Sequence, residues 1–250
     1  MKPSAQYVDA ITNIIRTIHD GEEANVLAAA RVLADQIAQG NLIHVIGTGG
    51  HSMIGAEEMF FRAGGLVPIN PIFEPGLTLA MGAFHSTAVE RTPNLMPGVL
   101  KLYGLKPGGA IIIVNAYGIN SATIDTALEA KRLGLTVIGV TGQETADTLA
   151  PNHPSRHPSG KNLYQIADIF INTHVPVGDA VLELAGVPQK VASISTFANA
   201  FVVEWLVIET VNLLVERGIE PPIWKSANSP GGDEYNKKYM EKYLGVIKHL

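Results

Sequence analysis

The 250-residue sequence contains no cysteine. That absence excludes a disulfide scaffold, thiolate metal sites and cysteine nucleophiles together, and it suits a reducing compartment. A basic excess is missing as well: 18 Lys and Arg stand against 23 Asp and Glu, for a net charge of −5. Gripping a nucleic-acid phosphate backbone needs the opposite balance, so nucleic acid is excluded as a partner. Charged residues are scarce, 16% against 46% hydrophobic, which excludes intrinsic disorder and leaves ample material for a core. Nor is there a long unbroken apolar run. The greasiest stretch, Phe201 to Val215, is interrupted by Glu204, Glu209 and Asn212, whereas a membrane span needs about 20 mostly apolar residues. It reads as a buried helix, and no membrane partner is expected. The opening residues Met1 to Gln6 run straight into an amphipathic pattern, so a signal peptide is not expected and the location is read as cytoplasmic.

What is present is a regular alternation of helical and extended patterns. Two helices are expected first: Tyr7, Ile11, Ile14, Ile15 and Ile18 recur at helical spacing, then Val26, Ala30, Leu33 and Ile37, with Gly40 as a stop. Five short apolar runs follow, read as strands at Leu42–Ile46, Leu66–Ile69 (extending toward Phe73), Ala110–Val114, Thr136–Val140 and Ile169–Thr173. They are continuously apolar rather than alternating, as parallel strands covered on both faces are. Between the third and fourth, a helix from about Ser121 to Leu133 and the stop at Gly134 complete a right-handed βαβ unit. The fold class is therefore α/β: a doubly wound, three-layer αβα sandwich on a five-stranded parallel sheet. One domain is expected over 1–250, with N-terminal helices over about 5–39, a sheet core over about 42–174, and a long helix and tail over about 193–250. The Pro- and Ser-rich stretch 150–162 and the stretch 221–236 are read as loops, the latter followed by a short C-terminal helix.

In open α/β sheets ligands lie outside the carboxyl ends of the strands, so the residues just after each strand carry the most information. After the first comes Gly47-Thr48-Gly49-Gly50-His51-Ser52, opening a helix expected through Met53 to Ala63. Glycines admit a close backbone approach, and a helix start offers free N–H groups to an anion. The dinucleotide fingerprint lacks its third glycine, which is Ser52, and its acidic ribose residue, so no nucleotide cofactor is expected. After the third strand comes Asn115-Ala116-Tyr117-Gly118-Ile119-Asn120-Ser121, again at a helix start, where Ser121 serves as an N-cap or as an anion donor. Two small polar turns at neighbouring strand ends would share one crevice. A small anion such as a monophosphate or sugar suits them better than a dinucleotide.

These turns resemble those of the sugar isomerase (SIS) domain family, and within it the chain is similar to the phosphoheptose isomerases. The family's Gly-x-Gly-Gly-Ser turn is matched by Gly47 to Gly50, with His51 at the serine position and Ser52 one later. Its Ser-x-Ser-Gly-Asn-Ser/Thr loop is matched by Asn115, Tyr117, Gly118, Asn120 and Ser121, with Ile119 as an extra residue. A less characterised branch of the family is also similar, through the Gly-His-Ser turn, the Arg62–Gly65 segment and the loop Ser155-Arg156-His157-Pro158-Ser159-Gly160-Lys161. The resemblance implies a flavodoxin-like sandwich and a sugar-phosphate ligand. It assigns Gly47, Thr48, Gly49, Ser52, Asn115, Tyr117, Gly118, Asn120 and Ser121 to binding, with Arg156 closing over the pocket. The family's catalytic Glu falls on Phe60 and Phe61 here; Glu57, on the same helix face, and its neighbour Glu58 are the substitutes. In place of the family's His, the long helix offers Glu204 and Glu209.

Aldose–ketose isomerisation needs a base that shuttles a proton between adjacent carbons and a donor for the developing oxyanion. His51 is a candidate because imidazole titrates closest to neutral pH. Glu57, Glu58 and Glu204 are the carboxylate candidates. Each has a structural alternative: one of two consecutive glutamates faces solvent while the other pairs with a cation such as Arg62, and a carboxylate on an apolar helix seeks a partner. A non-catalytic phosphosugar-binding module, and a lyase or etherase acting on a phosphorylated amino sugar, use the same groups and stay open. No metal site is expected, because Pro154 and Pro158 break the helix that would align His153 and His157. The helix near Ser193–Val215 is apolar nearly all round, and the resemblance implies pairing through it into a homodimer or homotetramer.

Overall fold

The computed structural model describes residues 2–250. All five apolar runs form strands: β1 (Ile43–Gly47), β2 (Ile69–Pro71), β3 (Ala110–Val114), β4 (Thr136–Thr141) and β5 (Ile169–Asn172). They lie parallel in the order β2-β1-β3-β4-β5, with Val45 beside Ile112 and Ile112 beside Ile138. Every residue of β1 and β3 is buried, as their unbroken hydrophobicity requires. Strand β2 is shorter and starts later than its sequence suggests. It is an edge strand, the one place where Pro71 leaves no ladder bond unmade.

One face of the sheet is covered by α1 (Pro3–Ala38), α2 (Ile54–Met59) and α8 (Ser195–Glu216), which pack on one another. The opposite layer comprises α3 (Ala83–Arg91), α4 (Met96–Leu100), α5 (Ser121–Arg132) and α7 (Leu163–Ile166), with α6 (Gln143–Thr148) following β4. The two expected N-terminal helices are one helix of 36 residues. Ile14, Ile18, Val26, Ala29 and Leu33 form a continuous buried stripe along it. A mid-helix glycine such as Gly21 costs about 1 kcal/mol, and His174 Nε2 packs 3.7 Å from its Cβ position. Contacts with α8 outweigh that cost. Helix α2 is shorter than expected, because Phe60 is extended and Phe61 takes a left-handed φ of 51°.

Between β5 and α8 lies an unpredicted hairpin, β6 (Ala180–Leu182) with β7 (Val191–Ser193). Just before it, Asp179 accepts the N–H groups of Ile194 and Ser195 at 2.9 and 2.7 Å and caps α8. Helix α8 is long and apolar enough to cross a bilayer by length and composition. It lies instead against α1 and α2, with Val202, Val203 and Leu206 buried. At the far end, α9 (Gly232–Tyr243) closes a small second cluster of Val67, Trp224, Tyr239, Tyr243 and Ile247.

Candidate functional site

The chain leaves β1 toward β2 and leaves β3 toward β4, so the two turns at their carboxyl ends flank the point where the sheet changes direction. The first turn is shaped by steric exclusion. A β-carbon on Gly47 would stand 2.1 Å from the Ser52 carbonyl oxygen, and one on Gly55 2.8 Å from the Val114 methyls, which lets α2 lie directly on β3. The second turn is shaped by hydrogen bonds. Asn115 Oδ1 accepts the N–H groups of Tyr117 and Gly118 at 3.0 and 2.8 Å, while its Nδ2 donates to the Thr48 carbonyl at 2.8 Å. Ser52 Oγ accepts the Ala116 N–H at 3.2 Å, and the Thr48 and Thr123 hydroxyls are 2.7 Å apart. The turns therefore converge. Thr48, Ser52 and Asn115, read from the sequence as ligand donors, are buried and their side chains tie one turn to the other, as buried polar groups must find partners.

Free donors come from elsewhere. Among the described residues, the N–H groups of Gly49, Gly50, His51 and Ser52 have no acceptor in the chain. The same holds for Ser121, Ala122 and Thr123 at the start of α5, since the first helix bond runs from Ile124 to the Asn120 carbonyl. Ser121 was expected to cap this helix, but the N-cap position belongs to Asn120, with no side-chain cap bond. Helix α5 carries no acidic residue in its first turn and has Lys131 and Arg132 in its last, so its positive end is left uncompensated. Asn120 is 6% exposed and its Oδ1 has no partner. Among the described residues the Ser121 hydroxyl makes no hydrogen bond either. The loop geometry at Gly118 depends on glycine, with φ at 64° and Thr141 Oγ1 2.7 Å from the Cβ position.

A roof lies over the first turn. Two 3-10 turns, Pro75–Leu77 and Leu79–Met81, lead into α3. Leu79 and the Ser86 hydroxyl pack against Gly50, and Glu90 Oε2 and Asn115 Nδ2 lie 3.2 and 3.3 Å from the Cβ position of Gly49. Glu90 has no hydrogen bond or ion pair among the described residues. Burial pushes its carboxyl up to about 7, against a weaker opposite pull from Arg91. Half-buried Tyr117 is also shifted upward, first by burial and then by the carboxylates of Asp179 and Glu90. The sequence gives no local sign of this. Glu90 beside Arg91 reads as an ordinary solvated helix pair, and only the packing of α3 on Gly49 reveals it.

The glutamates named from the sequence stand apart from these groups, on α2 and α8. Glu57 is exposed. Glu58 pairs with Arg62 at 3.0 Å, and Glu204 on α8 joins them, its carboxyl shifted upward by burial and by the Glu58 charge while Arg62 opposes. This cluster occupies the contact between α2 and α8. Glu209 accepts from Trp205 Nε1 at 3.0 Å. His51 is exposed and makes no side-chain hydrogen bond among the described residues. Arg156, expected to close over an anion, instead holds its own loop together: it donates to the carbonyls of Ala146, Leu149 and Ala150 and to Asn162 Oδ1, the last three at 2.8, 3.0 and 2.8 Å. A cavity of about 380 Å³ lined by His44, Asn70, Tyr103 and Lys106 lies at the opposite, amino end of the strands. Burial takes the His44 imidazole down to about 4.

A SIS domain model matches residues 6–142. A UPF0309 protein of Geobacillus thermodenitrificans is 35% identical over 245 residues, 98% of this chain and 96% of that protein. One from Streptomyces coelicolor is 36% identical over 244 residues, covering 97% and 95%. Among solved structures, a phosphoheptose isomerase from Francisella tularensis superposes with a TM-score of 0.54 at 13% identity, over 83% of this chain and 96% of that one. At that identity the likeness is one of fold.

Proposed function

The chain belongs to the SIS domain family, alongside the UPF0309 proteins, and on that footing we propose that its crevice binds a small sugar phosphate and interconverts its aldose and ketose forms. The observation that carries this reading is the convergence of unsatisfied donors at two adjacent strand ends. The phosphate lies at the start of α5, where the N–H groups of Ser121, Ala122 and Thr123, the Ser121 hydroxyl and the Asn120 amide meet the uncompensated helix end. The sugar extends under the roof toward Gly49 and Gly50, whose free N–H groups take up charge on a carbonyl oxygen as it becomes an oxyanion. The fold shared with a phosphoheptose isomerase agrees with this chemistry.

Assembly is part of the proposal. Phe197, Ile208 and Val215 leave an apolar strip of α8 exposed at 42%, 61% and 59%, which pairing with a second copy would cover; a monomeric mass by light scattering at micromolar protein would remove this clause. A non-catalytic module is the second reading, favoured by the commitment of Glu58 and Glu204 to a cluster outside the crevice.

Thermal-shift and calorimetric titration with pentose, hexose and heptose phosphates, followed by NMR of each mixture, separates the two. A ligand at a hundred times its Kd adds about 2.7 kcal/mol of stability, enough to read plainly. Asn120→Asp, which sets a carboxylate at the phosphate position, should weaken that binding at least about tenfold. Binding with turnover supports the isomerase, and binding without turnover the module. Indifference to every sugar phosphate sinks both.

A further inference from the structure

The candidate bases named from the sequence are His51 in the glycine turn, Glu57 and Glu58 on α2, and Glu204 on α8; a further carboxylate lies over that turn, on α3. We propose that Glu90, on the roof helix α3, is the catalytic carboxylate that carries a proton between the two carbons exchanged in isomerisation. The inference rests on the sugar-phosphate reading and adds its chemistry.

Position comes first. Glu90 Oε2 lies 3.2 Å from the Cβ position of Gly49, in the turn whose N–H groups are free, with Asn115 Nδ2 3.3 Å from the same point. A substrate carbon held between the phosphate donors of α5 and those N–H groups lies beneath this carboxylate. The site is also consistent with the glycine: a β-carbon at Gly49 would crowd the Glu90 carboxyl and the Asn115 amide at 3.2–3.3 Å. Freedom comes second. Glu58 is held by Arg62, Glu204 by the same pair, and Glu209 by Trp205. Among the described residues Glu57 is unpartnered but exposed, whereas Glu90 makes no hydrogen bond or ion pair and is largely withdrawn from solvent, which is costly for an acid unless it has work to do there.

The ionisable groups on the elements packed round α3 are Arg91 on the helix itself, Glu74 ahead of the 3-10 turns, Asp125 on α5, His51 in the glycine turn and Tyr117 with Asp179 beside it. Burial outweighs Arg91, so the carboxyl titrates at about 7. At neutral pH such a group is both basic enough to take a carbon-bound proton and acidic enough to return it.

The step balances without a cofactor. Ionised Glu90 takes the proton from the carbon beside the carbonyl, and the C–H electron pair forms the carbon–carbon double bond of the enediolate. The former carbonyl oxygen carries the charge against the Gly49 and Gly50 N–H groups. Glu90 then returns the proton to the neighbouring carbon while the hydroxyl proton passes between the two oxygens.

The test follows deuterium wash-in from D2O beside the carbonyl of ribulose 5-phosphate, fructose 6-phosphate and sedoheptulose 7-phosphate, by NMR, with Kd measured on the same samples. The wild type should exchange at least one of them, with a rate that rises through an apparent pKa near 7. Glu90→Gln should lose about 100-fold or more of the exchange while its Kd changes by less than about threefold, and Glu90→Asp should restore part of the rate. Undiminished exchange by Glu90→Gln overturns the assignment. So does a wild type that binds these sugars but exchanges none of them. If the wild type binds none, the underlying ligand reading falls, a different and separately visible result.

Discussion

Residues 47–52 and 115–121 both carry free backbone amides at adjacent strand ends, yet they are held in shape by different means. The first turn is fixed by what cannot fit: Gly47, Gly50 and Gly55 each sit where a β-carbon would strike a neighbour within 3 Å. The second is fixed by what must be bonded, since Asn115 gathers two N–H groups and one carbonyl onto a single side chain. Exclusion leaves the amides of the first turn bare. Bonding uses up a side chain but orients the start of α5. The contrast explains why small polar residues in such turns are a poor guide to ligand contacts: here Ser52 and Asn115 are the frame, and the free donors are backbone N–H groups.

The sharpest way to break the comparison is Gly47→Ala. Its β-carbon would meet the Ser52 carbonyl oxygen at 2.1 Å, a backbone atom that cannot swing aside. A loss of more than about 3 kcal/mol is expected in urea denaturation, and a wild-type midpoint would refute the steric account. Next in size is Asn115→Ala, which strands the Tyr117 and Gly118 N–H groups and the Thr48 carbonyl. It should cost about 2–3 kcal/mol and weaken anion binding as well; a stable variant with full affinity would mean that the second turn holds itself.

The smallest effect concerns the carboxylate resting on the first turn. The folded protein holds the Glu90 proton up to about 7, from an ordinary 4.5. Between those values the folded state binds more protons than the unfolded one, so stability falls as pH rises. Below 4.5 the contribution is fully present, and above 7 it is lost. Allowing for partial exposure, the decline amounts to about 1–2 kcal/mol. Glu90→Gln lacks it, and should therefore be more stable than the wild type at pH 8 and nearly level with it at pH 4.5. A constant difference across that range would show that Glu90 is not shifted.

Much of the frame was readable from residue pattern alone. Continuous apolar runs located the five strands, with β3 at its observed bounds, because burial on both faces leaves a one-dimensional signature. The β2 bounds were displaced because Leu66 and Val67 are buried by other contacts: Leu66 bridges Ile223, and Val67 packs with Trp224. The two apolar sets ending at Ile18 and starting at Val26 read as two helices, but they form one helix that packs along α8. Both turns were legible as motifs. The use of their side chains was not, since hydrogen bonds such as those of Ser52 and Asn115 join residues more than 60 positions apart. Glu90 was invisible for the same reason: its setting is made by Gly49 and Tyr117, not by its neighbours in sequence.

The pairing of α1 with α8 also dictates an order of events during synthesis. Helix α1 is made long before its principal partner, which begins only at Ser195. Until then the buried stripe of Ile14, Ile18, Val26 and Leu33 has only the sheet, chiefly β5, to pack on. A nascent chain halted before α8 therefore leaves part of that ridge open, which invites chaperone capture or clumping and makes the arrival of α8, rather than collapse of the sheet, the step that seals this layer.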